Sequence, residues 1–134
     1  YVAAMDARGT FEVDLKREPL CIDAADLKVF RARGEKRFVG VLDARSVVEM
    51  LGAGTAETPH AAYVAIERIE GRLDGKAGSF AVLHAAWDRP EGLTIDIIPG
   101  SGTGELEGIR GTMKIELTDG AHHYAIAWAL GAAG

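Results

Sequence analysis

The sequence predicts an all-β fold whose strands close into a single antiparallel barrel. Three observations carry this expectation. Short runs of alternating apolar and polar residues recur along the chain. Asp-Gly dipeptides and Gly/Pro turns punctuate them at short spacing. No long amphipathic helix competes with them. Glycine is frequent, at 17 of 134 residues against 4 prolines, a balance that suits tight turns between strands.

Taken in order, Gly9-Thr10-Phe11-Glu12-Val13-Asp14-Leu15 alternates as a half-buried strand does. Residues 16–26 contain Pro19 and several acids and read as a loop. A strand is predicted from Leu27 to Arg33 with a break at Gly34. Another starts near Lys36-Arg37-Phe38-Val39 and runs towards Met50, although Ala44 to Leu51 also has helical propensity. Gly52 to Pro59 reads as a turn-rich connection. Tyr63 to Ile69 is a strand, and Asp74-Gly75 is a strong hairpin signal leading into Ser79–Trp87. Arg89-Pro90-Glu91-Gly92 is the next turn, then Leu93 to Ile98 forms a strand stopped by Pro99-Gly100. Asp119-Gly120 joins a strand at Met113–Leu117 to one at Tyr124–Leu130. Residues 1–130 are expected to form one domain, and Gly131-Ala132-Ala133-Gly134 a flexible tail.

Composition excludes several function classes. The net charge is −5, and no basic stripe suggests a nucleic-acid surface. No apolar run approaches the ~20 residues a membrane helix needs. Cys21 is the one cysteine, so no disulfide forms within the chain and a reducing cytoplasm is the expected compartment. The chain starts at Tyr1 without a signal-peptide pattern or an initiator Met, which reads as a trimmed chain. No His/Cys spacing suits zinc, and no cofactor is expected. The run Gly102-Thr103-Gly104-Glu105-Leu106-Glu107-Gly108 has the wrong spacing for a dinucleotide fingerprint, lacks a following Gly-Lys-Ser/Thr, and carries two glutamates that would repel phosphate. Its glycines suit tight turns and barrel coiling.

Several stretches resemble a known family. They are Gly9-Thr10-Phe11-Glu12-Val13, Glu49-Met50-Leu51, Ala62 to Arg68, Gly78-Ser79-Phe80 with His84, and Pro99-Gly100-Ser101-Gly102-Thr103-Gly104-Glu105-Leu106 with Gly108 and Gly111. Together they cover most of the chain and resemble a bacterial family of unknown function with the allene-oxide-cyclase-like barrel. The resemblance implies about eight antiparallel strands, commonly around an internal cavity, and no agreed activity. The chain also departs from that family's pattern. Val82-Leu83-His84-Ala85-Ala86-Trp87 replaces a more polar segment, and Asp96 stands where Thr or Val is usual. A His-Gly-Asp-Leu piece is replaced by Val39-Gly40-Val41-Leu42. Ala32 and Gly34 replace larger apolar residues, and Ala125 and Ala127 replace acids. These changes fit either a divergent member with a ligand pocket or a deliberately remodelled scaffold.

The departures direct attention to Asp96, a carboxylate within an apolar run. Burial there would raise its pKa and make it a base able to take a proton from carbon. On the outer face, with Thr94 and Ile98, it would simply be solvated, and alternation alone does not choose the face. Trp87 is a candidate stacking wall for a planar ligand, with Leu83, Trp128, Tyr124 and Phe38 as further apolar contacts. The period-two run Tyr124-Ile126-Trp128-Leu130 equally suits core packing. His84, opposite in face to Leu83 and Trp87, is an acid–base partner or a satisfied structural histidine. Glu67 shares its face with Tyr63 and Ala65 and is either a second pocket carboxylate or half of a salt bridge. Lys28 or Lys36, if buried with a lowered pKa, could form a Schiff base, but the charged surroundings Arg31, Arg33, Glu35 and Arg37 favour a solvated edge.

The leading expectation is therefore cofactor-free proton transfer, isomerisation or cyclisation of a small planar apolar molecule. Asp96 would be the base, with His84 or Glu67 as an auxiliary group. The alternatives are a non-catalytic small-molecule binding barrel, and a structural homo-oligomer with Ala125, Ala127 and Ala129 at the interface.

Overall fold

A computed structural model describes the backbone of residues 5–131 and the side chains of residues 8–131. Eight strands run β1 (Met5–Asp23), β2 (Lys28–Gly40), β3 (Leu42–Gly54), β4 (Ala62–Leu73), β5 (Lys76–Trp87), β6 (Leu93–Ile97), β7 (Arg110–Thr118) and β8 (Ala121–Ala129). Each pairs antiparallel with its chain neighbours, and β1 pairs with β8 to close the barrel. The sole helical turn among the described residues is Gly104–Leu106.

Alternation decides which side chains turn inward. On β2, Phe30, Ala32, Gly34, Lys36 and Phe38 are buried, while Arg31, Arg33, Glu35 and Arg37 between them are exposed. The two Asp-Gly turns behave as their composition predicts. Asp74 and Gly75 have φ of 51° and 78°, and Asp119 and Gly120 have φ of 53° and 77°. Positive φ at both central residues gives the turn twist that matches hairpin strands.

The two ends of the barrel differ. At one end, the segment between β6 and β7 folds back over the opening. Leu106 and Ile109 there are almost fully buried against a core that includes Phe38, Leu42, Leu73, Phe80, Ile126 and Trp128. Thr103 anchors the segment by donating its N–H to the Ser79 carbonyl and accepting the Ser79 N–H on its hydroxyl. Gly78 permits this approach, since a Cβ at that position would lie 2.1 Å from the Thr103 carbonyl oxygen.

The opposite end is open. β1 pairs with β8 only from Met5 to Phe11, yet continues alongside β2 to Asp23. Val13, Leu15 and Leu20 sit opposite Lys36, Gly34 and Phe30 and so share the interior face. They nevertheless remain 37%, 47% and 43% exposed, because no strand covers that stretch of wall. Leu117, near the tip of β7, is likewise apolar and exposed.

Three expectations are corrected. Residues 16–23 are strand, not loop, because β2 pairs with them; Pro19 is accommodated where register shifts fall between Arg17 and Leu20. It lies on a free edge, where a missing N–H costs no ladder bond. Gly34 does not break β2. It makes room instead, since a Cβ there would lie 2.9 Å from both Leu15 Cδ1 and Val48 Cγ1. The strand predicted to run unbroken from Lys36 towards Met50 is divided, with β2 ending at Gly40 and β3 starting at Leu42, because the chain reverses there, with Gly40 at φ 116°, to pair the two antiparallel; residues 44–51 are strand as expected. The predicted tail falls largely outside the described residues, which end at Gly131.

Candidate functional site

Four adjacent strands each turn one polar side chain inward at a similar height in the barrel: Lys36 (β2), Ser46 (β3), Glu67 (β4) and His84 (β5). Lys36 and Ser46 are direct cross-strand partners. Glu67 lies opposite Val48, two residues beyond Ser46, and His84 lies two residues beyond Val82, the partner of Glu67. This diagonal drift follows from strand tilt, which makes a level ring of side chains run obliquely across the register.

Glu67 is the hub. Its side chain has no solvent exposure. Oε1 accepts from Lys36 Nζ at 3.1 Å and lies 2.8 Å from His84 Nε2. Oε2 accepts from the Ser46 hydroxyl at 2.5 Å. Burial pushes this carboxyl up, but the His84 hydrogen bond, the Lys36 charge and the Ser46 hydrogen bond together outweigh burial and hold it below its ordinary 4.5. Glu67 is therefore a carboxylate at neutral pH and can only accept hydrogen bonds. Its neighbour Lys36 also faces the Phe11 ring, 4.8 Å from the centroid.

That wiring assigns the histidine tautomer. With Glu67 accepting, His84 Nε2 must donate. In the neutral ring the lone pair then resides on Nδ1. Nδ1 is buried and has no hydrogen-bond partner among the described residues. A ring held by a carboxylate on one nitrogen can accept a proton on the other when that nitrogen carries the lone pair.

The open end lies on the same side of the cluster as Tyr63. A cavity of about 230 Å³ there is lined by Phe30, Met50, Tyr63 and Ala86, with Ala53, His60, Ala62, Trp87 and Asp88 around it. The Tyr63 ring stands 6.3 Å from that of His84, between centroids. Burial, and secondarily the Glu67 charge, push the Tyr63 hydroxyl above its usual range. Tyr63 thus keeps its proton, and it borders both the cavity and the histidine ring. A larger depression, about 770 Å³, lies on the outer face of β1–β4. Charges of both signs line it, and Glu12 pairs across strands with Arg37 and Arg45 with Glu70.

The structure brings His84 and Glu67 together and separates the other predicted site residues from them. Asp96 is exposed on the outer face, in register between Leu83 and Thr112. The inward positions of β6 are Leu93, Ile95 and Ile97, so parity turns the carboxylate to solvent. Leu83 and Trp87 also face outward, at 40% and 60% exposure. Phe38, Tyr124 and Trp128 are core residues. Phe38 and Tyr124 make an edge-to-face contact at 5.5 Å, and the Tyr124 hydroxyl accepts the Leu42 N–H and donates to the Val39 carbonyl, each at 3.0 Å. None of the three lines the mouth. Ala127 is exposed on the outside of β8, with Ala125 and Ala129 partly covered.

Sequence reasoning misses two members of the cluster: Lys36, which it sets aside as a solvated edge, and Ser46, which it does not single out. Their signal is parity: Lys36 continues the period-two set Phe30, Ala32, Gly34 and Phe38, and Ser46 sits between Ala44 and Val48. The solvated-edge expectation for Lys36 gave weight to its charged sequence neighbours, which point the other way. Among the described residues, no group of three or more His, Cys, Asp or Glu side chains is placed to hold a metal ion, and no helix is long and apolar enough to cross a membrane.

The sequence pattern of a family described as a protein of unknown function (DUF3224) matches residues 7–128. The chain belongs to this family. A crystal structure of a DUF3224-family protein with unknown function from Shewanella oneidensis MR-1 is similar throughout. It is 35% identical, with 96% of this chain and 99% of that chain covered, at a TM-score of 0.88. No curated protein matches the chain. Family membership therefore accounts for the closed barrel and leaves its chemistry to the residues inside.

Proposed function

We propose that this barrel takes a small, largely apolar molecule with one acidic hydrogen into its open end, and that His84 Nδ1 removes that hydrogen. The wiring of His84 carries this reading. Nε2 is committed to an ionised Glu67, and Nδ1 is left without a partner. The base role expected of Asp96 passes to His84, since the carboxylate at 96 faces solvent.

The chemistry balances without a co-reactant. A proton moves from the ligand to Nδ1, the imidazolium is stabilised by Glu67, and the ligand anion takes the proton back at the same atom or another. Return at another atom is an isomerisation. The inward-facing part of the mouth suits a planar apolar body, because Phe30, Met50 and Ala86 offer no charge and the ring of Tyr63 offers a stacking surface, with the exposed His60 and Asp88 as its polar part. Nδ1 is closed to solvent, so contact requires a neighbouring side chain to move, and we assign that movement to Tyr63, whose ring stands beside that of His84.

The test compares phenols with their methyl ethers, and follows hydrogen–deuterium exchange at an activated C–H of a bound ketone. Phenols should bind and the ethers should bind more weakly, by about tenfold for one lost hydrogen bond of ~1–1.5 kcal/mol. His84→Phe should abolish both the preference and the exchange. Equal binding of phenol and ether, unchanged in His84→Phe, would refute the proposal.

A further inference from the structure

We propose that two copies of this chain pair through the outer face of β3, β4 and β5, each inserting Trp87 into a dent on the other. The face is apolar where an outer face should be polar. Leu51, Val64, Ile66 and Leu83 are 40–52% exposed, and Trp87 is 60% exposed. Register makes them one patch: Leu51 pairs with Val64 and Ile66 with Leu83, while Trp87 pairs with Ala62 and Ala62 with Ala53.

The same face contains a hollow. A depression of about 260 Å³ is lined by Leu51, Ala53, Ala62, Val64 and Ala85, with Trp87 at its border. It exists because Ala53, Ala62 and Ala85 carry only methyl groups at neighbouring outward positions. Knob and hollow therefore occur on one surface, which is what a self-complementary two-fold contact requires.

The register offers one arrangement in which the two faces are complementary. A two-fold axis lying in the contact plane along β4 sets β3 of one copy over β5 of the other. Trp87 then lies over Ala53 of the second copy, and Leu51 over its Ala85, so large meets small in both rows and reciprocally. Leu83 meets the stem of Glu49, whose carboxylate is held at the edge by Arg33 at 2.6 Å. The five large side chains expose on the order of 500 Å² per copy, within the size range of patches that are often functional. Arg31, Arg89 and Thr94 around them extend the footprint towards the ~800 Å² per partner of a stable interface. A membrane or an unrelated protein would match the apolarity but gives no reason for the paired knob and hollow.

Sedimentation velocity and light scattering across a concentration series test this. The mass should rise from 14.2 kDa to twice that value. Trp87→Glu and Ala85→Arg should each weaken association by about 30-fold or more, as loss of an aromatic anchor does. Ala127→Glu, on the exposed outside of β8, should leave it unchanged. All three positions face outward, and far-UV circular dichroism checks that the variants stay folded. A chain that remains at 14.2 kDa into hundreds of micromolar would overturn the proposal. So would assembly to three or more copies, or a dimer indifferent to both Trp87→Glu and Ala85→Arg.

Discussion

Replacing Glu67 by Gln keeps the shape of the hub and removes its charge. Gln can still accept from His84 Nε2 and meet the Ser46 hydroxyl, so two of the three contacts persist in some form. Lys36 is the casualty. Its side chain is 7% exposed and its ion partner is Glu67. A buried charge stripped of its partner costs about 3–5 kcal/mol, whereas removing both charges of such a pair is often close to neutral. Against a total stability of roughly 5–15 kcal/mol for a chain of this size, the single substitution is a large loss. The expected pattern is that Glu67→Gln loses about 3 kcal/mol in urea unfolding at pH 7, followed by circular dichroism. The double variant Lys36→Met, Glu67→Gln should return to within about 1 kcal/mol of the parent. A Glu67→Gln loss below 1 kcal/mol, or a double variant no better than the single, would show that the two charges are not coupled in the folded barrel.

Other substitutions have different signatures. Because the Glu67 carboxyl is held below 4.5, its stabilising contribution is complete above that pH and disappears as pH falls through the lower folded value; acid titration of stability should be shallower in Glu67→Gln. Tyr124→Phe strips the Leu42 N–H of its acceptor and should cost about 1–3 kcal/mol, read as a lowered urea midpoint. Gly78→Ala should detach the segment after β6, since the added Cβ meets the Thr103 carbonyl at 2.1 Å; proteolysis near Gly100–Gly108 would report it. Asp96→Asn should change stability by less than about 0.5 kcal/mol, as exposed substitutions do, and should leave proton exchange intact; loss of exchange would return the base role to Asp96.

The barrel is legible in the sequence because its signals are local. Asp74-Gly75 and Asp119-Gly120 need only their own φ preferences to make hairpins, and alternation through Phe30–Phe38 needs only strand geometry. The site is legible in part. His84 and Glu67 fall on adjacent strands with inward parity, and both are readable as candidates. Their 2.8 Å contact depends on register between β4 and β5, a long-range property that neither segment encodes alone. Asp96 attracted notice through residue type, but the face of a five-residue strand is decided by which neighbours it pairs with. Lys36 shows the reverse case. Its surroundings in sequence are charged, yet period two places it among Gly34 and Phe38 in the interior. The open end has no local sequence signal, because it arises from β1 outrunning β8 rather than from any motif.

The tautomer of His84 tests the proposed site most directly. Long-range ¹H–¹⁵N correlation spectra at mildly alkaline pH distinguish a protonated ring nitrogen from a bare one. Nε2 should carry the proton and Nδ1 should be bare, and the Nδ1 resonance should move when a small phenol is added. A proton on Nδ1, or a bare Nδ1 that ignores every phenol tried, would contradict His84 as the base.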